Sequence, residues 1–308
     1  MLKVSASPHI TGNMTTQKIM LLVIIALLPS LLTGIIMFGL KALILSVVCI
    51  VGCVAMEAVC RIIMKRQQTA ADLSAALTGT LLAMNLPPDL PVWQALIGCF
   101  VAIVIVKQLF GGLGQNFANP AIVARIVLML SFTSNMTTWS ATRFMSESDA
   151  VTGATPLISG NASYIDLLIG NTKGCIGEVC AIGLIIGGIF LIVAKIISPA
   201  APLAFIGSVA ALEFIVGNDP IYHILSGGLL LGAFFMATDY VTTPITAKGK
   251  LIFGLGCGII TFVIREYGGY PEGVSFSILL MNIVTPYIDS FTAPKIIGAV
   301  KTEKEAKK

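Results

Sequence analysis

The sequence predicts an all-α polytopic membrane protein of about ten transmembrane helices, arranged as two inverted five-helix repeats with broken or half helices. Three observations carry this expectation. First, 56% of the 308 residues are hydrophobic and only 11% are charged, with a mean hydropathy of +0.94, whereas soluble domains run near a quarter charged. Second, the apolar residues gather into ten runs; at about 20 residues per crossing, ten spans take roughly 200 residues and leave only loops and short tails. Third, two segments of the first half are echoed in the second. The formal net charge is only +4 and the basic residues are scattered, which excludes a nucleic-acid module, and disorder, collagen and coiled coil are excluded with it.

The runs follow in order. A polar stretch ends at Lys18, and the apolar run from Ile19 to Leu40 carries no small-residue cleavage site, so residues 18–40 read as a retained first span, not a signal peptide. The second run, 42–60, is followed by Arg61, Lys65 and Arg66. The third, 73–86, stops at Pro87-Pro88 and is too short to cross alone. The fourth, 92–110, contains Lys107 and leads into Gly111-Gly112; the fifth covers 118–134. After a loop of some 40 residues come runs at 176–198, 200–217, 222–238, 251–265 and 274–289. The ninth and tenth read as short and are bracketed by Gly268-Gly269-Tyr270-Pro271. Short runs interrupted by Gly and Pro suggest helices that break inside the protein, where irregular backbone survives only if buried or lining a cavity.

With the N-terminus inside, only Lys41, Arg143, Lys173 and Arg265 of the 19 basic residues fall outside, which predicts cytoplasmic termini and an even number of spans. Lys107 followed by Gly111-Gly112 resembles Arg265 followed by Gly268-Gly269, and Leu77–Met84 echoes Ser226–Met236. Five spans per half, an odd number, turn the second copy upside down. The expected layout is a single membrane domain over 1–308: a first repeat at 1–134, an extracytoplasmic loop at 135–175, a second repeat at 176–290 and a basic cytoplasmic tail at 291–308.

Four intramembrane charges stand out: Glu57, Arg125, Glu178 and Glu213. Such groups form ion pathways or buried pairs, or, for Glu57 and Glu178, snorkel to an interface; the sequence assigns no partners. The cysteines at 49, 53, 60, 99, 175, 180 and 257 form no C-x-x-C or Cys/His cluster and read as small apolar fillers. His9 and His223 lie too far apart to form a His pair.

The long loop holds Asp149, Thr152, Gly153, Ala154, Thr155 and Pro156. Spacing alone reads as a helix start, with Thr155 as N-cap and Pro156 as first helical residue. The small Gly153 and Ala154 would leave the Thr155 hydroxyl open to a modifying enzyme. Asp149-x-x-Thr152-Gly153-Ala154-Thr155 resembles the flavinylation motif shared by the D-type component of the Rnf complex and the B-type component of the sodium-pumping NADH:quinone reductase, with Thr152 where Ser is commoner. Ser7-Pro8-His9, the segment from Lys107 to Asn116, Asn119-Pro120-Ala121, Gly177-Glu178, Leu225-Ser226-Gly227-Gly228, Gly232 to Asp239 and Gly268 to Val274 also resemble the Rnf member. The absence of a long N-terminal extension favours that member.

The resemblance implies a flavin-carrying membrane subunit of a redox-driven ion translocase in the bacterial cytoplasmic (inner) membrane. Its fold would be similar to urea-transporter-like inverted repeats. FMN would be joined through its phosphate to Thr155, with Asp149, Thr152, Gly153 and Ala154 as the rest of the motif. By similarity to the relative, a second, non-covalent flavin such as riboflavin belongs to the expectation, with no motif to locate it. The implied complex, which includes a second covalent-flavin subunit, passes electrons between ferredoxin and NAD and pumps Na+ or H+. The chain has no GxGxxG, P-loop or Cys cluster, so NAD and ferredoxin fall to other subunits. The alternative is a channel or solute transporter on the same inverted repeat, without a redox role.

Overall fold

The computed structural model describes residues 14–144, 155–160, 162–268 and 273–293, and among them every regular element is helical. The first half comprises α1 (Thr16–Phe38), α2 (Leu40–Ile63), α3 (Ser74–Met84), α4 (Val92–Phe100, continuing as π-helix over Val101–Gln108), α5 (Pro120–Ser131) and the short α6 (Thr133–Met136). The long loop contributes α7 (Pro156–Ser159) and α8 (Tyr164–Ile169). The second half comprises α9 (Ala181–Val193), α10 (Ala200–Val216), α11 (Pro220–Leu225), α12 (Leu229–Leu231, continuing as π-helix over Gly232–Met236), α13 (Ala247–Tyr267) and α14 (Gly273–Thr292).

Among the described residues four helices, α1, α2, α13 and α14, are long and apolar enough to cross a membrane. Five shorter apolar segments, α3, α4, α5, α9 and α10, accompany them. The short runs differ from the expectation in one respect. The ninth and tenth are not short: α13 has 21 residues and α14 has 20. The ninth run is bounded at 251 by Lys248 and Lys250, yet both lie inside α13, which follows its N-cap Thr246 and runs on to Tyr267. The breaks fall instead after α3 and at Ser226-Gly227-Gly228, where Gly227 adopts φ +66° and separates α11 from α12.

Small residues permit the close helix contacts that replace hydrophobic driving force in lipid. A Cβ at Gly187 would lie 2.2 Å from the Ala26 carbonyl, and one at Gly183 would lie 2.9 Å from Ser30 N, so α9 packs antiparallel against α1. Gly254 meets Ala201 and Gly258 meets Phe205 and Ser208, so α13 runs parallel to α10. In the first half Cys99 Sγ bonds the Cys49 carbonyl and Gly52 meets Leu96, so α4 packs directly on α2. Lys107 meets Glu57 further along both helices, so the two run parallel. Gly39 alone joins α1 to α2; its φ of +81° and the Arg143 guanidinium, which a Cβ would strike, both require glycine.

Candidate functional site

Among the described residues, buried charges gather in three clusters. In the first, Glu57 on α2 is 0% exposed and Lys107 on α4 is 1% exposed. The parallel packing of the two helices sets Lys107 Nζ 2.8 Å from Glu57 Oε2 and 2.8 Å from Ser74 Oγ, at the start of α3. Glu57 Oε1 also accepts from Thr69 Oγ1 at 2.8 Å and Gln108 Nε2 at 2.9 Å, with Arg61 Nε at 3.8 Å one turn on. The carboxylate is therefore both charge-paired and hydrogen-bonded, the condition for tolerating its burial. Glu57 does not snorkel.

The second cluster lies where the chain breaks. Arg125 on α5 donates through Nη1 to Glu178 Oε1 at 2.8 Å and to Asn85 Oδ1. Its Nη2 reaches Cys175 Sγ at 3.6 Å, and that thiol donates to the Asn85 carbonyl at 3.3 Å. Asn85 follows the last residue of α3, and its Nδ2 meets Met236 Sδ at 3.6 Å, while Asn119 Nδ2 donates to the Met236 carbonyl at 3.3 Å. The C-terminal ends of the two broken helices, α3 and α12, thus meet beside the Arg125–Glu178 pair. Cys175 is a polar member of this network and not the apolar filler expected. The other six cysteines are buried and unbridged.

The third cluster gathers the C-terminal ends of α10 and α13 with α11. Glu213 on α10 is fully buried, with Oε1 3.3 Å from His223 Nδ1. Asn218 Nδ2 donates to Glu213 Oε2 and to Glu266 Oε1, each at 3.0 Å. Arg265 turns to the carbonyls of His223 (2.9 Å) and Ser226 (3.3 Å). The first and third clusters share a plan. In each, a buried glutamate near the end of one helix lies on a helix parallel to one that ends in a basic residue. That basic residue reaches the serine, Ser74 or Ser226, preceding or opening a broken helix.

Thr155 occupies the N-cap position of α7, with φ −65° and ψ 162°, and Pro156 is the first helical residue, the local geometry that spacing predicted. Its exposure is 4%, so the hydroxyl is covered and not open. The cause is the packing of the 155–160 segment onto the core: Tyr222 Oη donates to the Pro156 carbonyl at 2.8 Å, and Leu157 lies against Gly227. Thr155 lines a cleft of about 10 Å³ with Lys173, Glu178, Leu225 and Gly227, room for about one water. Asp149, Thr152, Gly153 and Ala154 lie outside the described residues, as do His9 and Gly269.

Of the four intramembrane charges expected from sequence, all are buried, and two pairs that sequence left open are now assigned, Glu57–Lys107 and Arg125–Glu178. Sequence reasoning missed Lys107 as an intramembrane charge, because a lysine beside a double glycine reads as the edge of a span. It also missed Asn85, which no motif marks.

The model of the NQR2, RnfD, RnfE family matches residues 3–298. The chain is 50% identical to the D component of the Na(+)-translocating ferredoxin:NAD(+) oxidoreductase complex of Acetobacterium woodii, over 99% of this chain and 98% of that protein. It is 44% identical to the D component of the proton-translocating ferredoxin:NAD(+) oxidoreductase complex of Clostridium ljungdahlii, over 96% of each. It is 37% identical to the D component of the ion-translocating oxidoreductase complex of Stutzerimonas stutzeri, over 92% of each. With a family model matched over nearly its whole length and relatives aligned from end to end, the chain belongs to the NQR2, RnfD, RnfE family.

Proposed function

We propose that this chain is the flavin-carrying membrane subunit of a complex that couples electron transfer between ferredoxin and NAD to translocation of Na+ or H+. The observation that carries the reading is the end-to-end similarity, at 50% and 44% identity, to two D components of complexes whose names state that activity. One relative is named for Na+ and the other for protons, so the cargo ion is not part of the proposal. The chain is an electron-carrier subunit of a translocase, with NAD and ferredoxin handled by its partners in the complex, a second covalent-flavin subunit among them.

The flavin is FMN in a phosphoester bond to Thr155, with Asp149, Thr152, Gly153 and Ala154 as the remainder of the motif. The chemistry of the donor set supports this: a threonine hydroxyl stands in a cleft also lined by Lys173, a cation suited to a phosphate. The cleft is far too small for a flavin ring. Thr155 and Lys173 would hold the phosphate, the ring would lie outside the cleft, and the 155–160 segment would shift outward on attachment. When bound, FMN supplies exchange between one-electron and two-electron transfers. The chain's own task is to tether it and to keep the neighbouring charges fixed, with Arg125 holding Glu178, which lines the cleft. A non-covalent riboflavin belongs to the same proposal without an assigned place.

The membrane layout is part of the reading: one membrane domain of about ten spans, in two inverted repeats at 1–134 and 176–290 around the loop at 135–175, with a cytoplasmic tail at 291–308. The matched Glu57–Lys107–Ser74 and Glu213–Arg265–Ser226 arrangements support the repeat, as do the parallel pairs α2/α4 and α10/α13 and the meeting of the broken ends of α3 and α12. Setting aside Arg61, Lys107 and Arg125, which are buried, 12 basic residues are expected inside against 4 outside. That asymmetry supports cytoplasmic termini and an extracytoplasmic flavin loop in the bacterial cytoplasmic membrane. The test is in-gel fluorescence of the denatured chain under ultraviolet light, with and without Thr155→Val; a wild-type chain from its native membrane that lacks fluorescence refutes the flavin role.

A further inference from the structure

We propose that Glu213, His223 and Glu266 form a binding site for a first-row divalent cation of the zinc class. One imidazole nitrogen and two carboxylate oxygens lie within 4.8 Å of one another, on three separate elements, the ends of α10 and α13 and the short α11. A second observation points to a ligand. Glu213 is fully buried, yet its Oε1 has no hydrogen-bond partner, and neither has His223 Nδ1, although the two atoms are 3.3 Å apart. A buried carboxylate oxygen without a donor is costly. A cation between the two atoms would satisfy both.

The 3.3 Å between His223 Nδ1 and Glu213 Oε1 suits a small ion. Zinc bonds of about 2.0–2.1 Å place tetrahedral ligands roughly 3.3 Å apart. A nitrogen donor beside two carboxylates favours zinc-class ions over hard cations such as Na+ or Mg2+, which take oxygen alone. Asn218 Nδ2 holds both carboxylates at 3.0 Å, the positioning that ligands of metal sites commonly receive from their neighbours. The His223 side chain is 18% exposed, which provides an entry path. Arg265 stands nearby, but its guanidinium is engaged by the carbonyls of His223 and Ser226; its charge limits the affinity without occupying the site. Tyr222, next to His223, bonds the Pro156 carbonyl, so the ion would brace the segment that carries Thr155.

The test uses the purified full-length chain without a polyhistidine tag, stripped with a chelator and titrated with Zn2+. The expected result is one equivalent bound, with an X-ray absorption first shell of nitrogen and oxygen at about 2.0 Å. His223→Gln and Glu266→Gln should each weaken binding at least tenfold, while His9→Gln, which alters the other of the two histidines, should leave it unchanged. Because these two positions are partly exposed, the test does not depend on Glu213→Gln folding. Absence of stoichiometric binding, a sulfur shell near 2.3 Å, or His223→Gln binding as tightly as wild type overturns the proposal. The first of these outcomes would leave a proton on His223 Nδ1, donated to Glu213, as the occupant. Flavin fluorescence is read separately, so failure here is distinct from failure of the flavin assignment.

Discussion

Replacing Lys107 with methionine removes one charge from a buried, hydrogen-bonded ion pair while nearly preserving side-chain volume. Lys107 Nζ is 2.8 Å from Glu57 Oε2, and the two side chains are 2% and 1% exposed. At that separation and an effective dielectric of about 20 the Coulomb attraction is roughly 6 kcal/mol, but desolvation of both ions takes back much of it. Removing one partner of such a pair commonly costs about 3–5 kcal/mol, because the other charge is stranded. Glu57 would keep Thr69, Gln108 and Arg61, so the low end, about 3 kcal/mol, is expected for Lys107→Met. By contrast Lys41–Asp89 is a surface pair, with side chains 73% and 41% exposed, and Lys41→Ala should cost less than about 1 kcal/mol. The assay is equilibrium unfolding of the purified chain in mixed micelles, with a double-mutant cycle. Lys107→Met with Glu57→Gln removes both charges of the pair, leaving Arg61 with the Gln67 carbonyl, and should be more stable than Lys107→Met alone. The reasoning is refuted if Lys107→Met lies within about 1 kcal/mol of wild type, or if the two substitutions simply add.

The remaining predictions are of different kinds. Asp89 sits in the loop between α3 and α4; burial raises its carboxyl pKa, but hydrogen bonds from Lys41 and Ser140 outweigh this and hold it below the usual value. Its stabilisation is thus present above the unfolded carboxyl range near pH 4 and lost as the pH falls through the lower folded value. A pH titration of unfolding should show this small loss in wild type and not in Asp89→Asn. Gly258→Leu should disrupt the α10/α13 contact, since a Cβ there would lie 1.7 Å from Ser208 Oγ and 2.9 Å from the Phe205 carbonyl. The readout is loss of the folded, monodisperse fraction on size exclusion, against an unchanged Gly207→Ala, where a Cβ meets nothing. For topology, a cysteine at Ser148 in a background lacking the native cysteines should react with an impermeant maleimide in intact cells, and one at Ala306 should not. The reverse labelling would overturn the orientation.

The apolar segments were legible because each is a run of one chemical character. Their ends were less so: Lys248 and Lys250 belong to α13, and polar residues in the terminal turns of a membrane helix cannot be separated from loop by hydropathy. The interruption of the eighth run was signalled by Gly227-Gly228, but its contact with Arg265, which donates to the Ser226 carbonyl from 39 residues away, was not. Pairing was the least readable feature. Glu57 and Lys107 are 50 residues apart, and only the parallel packing of α2 on α4 brings them together. Glu213, His223 and Glu266 come from three elements without a local motif, so no spacing rule finds them. For Thr155 the local conformation followed from its neighbours, since Pro156 fixes a helix start. Its burial did not, because that depends on Tyr222 and Gly227 from the second half of the chain.

The measurement that bears most directly on the central claim is peptide mass mapping of the chain isolated from its native membrane within its complex. The account predicts the mass increment of FMN, less water, on the peptide that contains Thr155, with the fragment ions placing it on that residue. Thr155→Val should abolish both increment and fluorescence, and Thr155→Ser, which keeps a hydroxyl, should retain some of each. Thr152→Val should lower occupancy without moving the attachment. An increment mapped to Thr152, or a native chain carrying no flavin, would contradict the account.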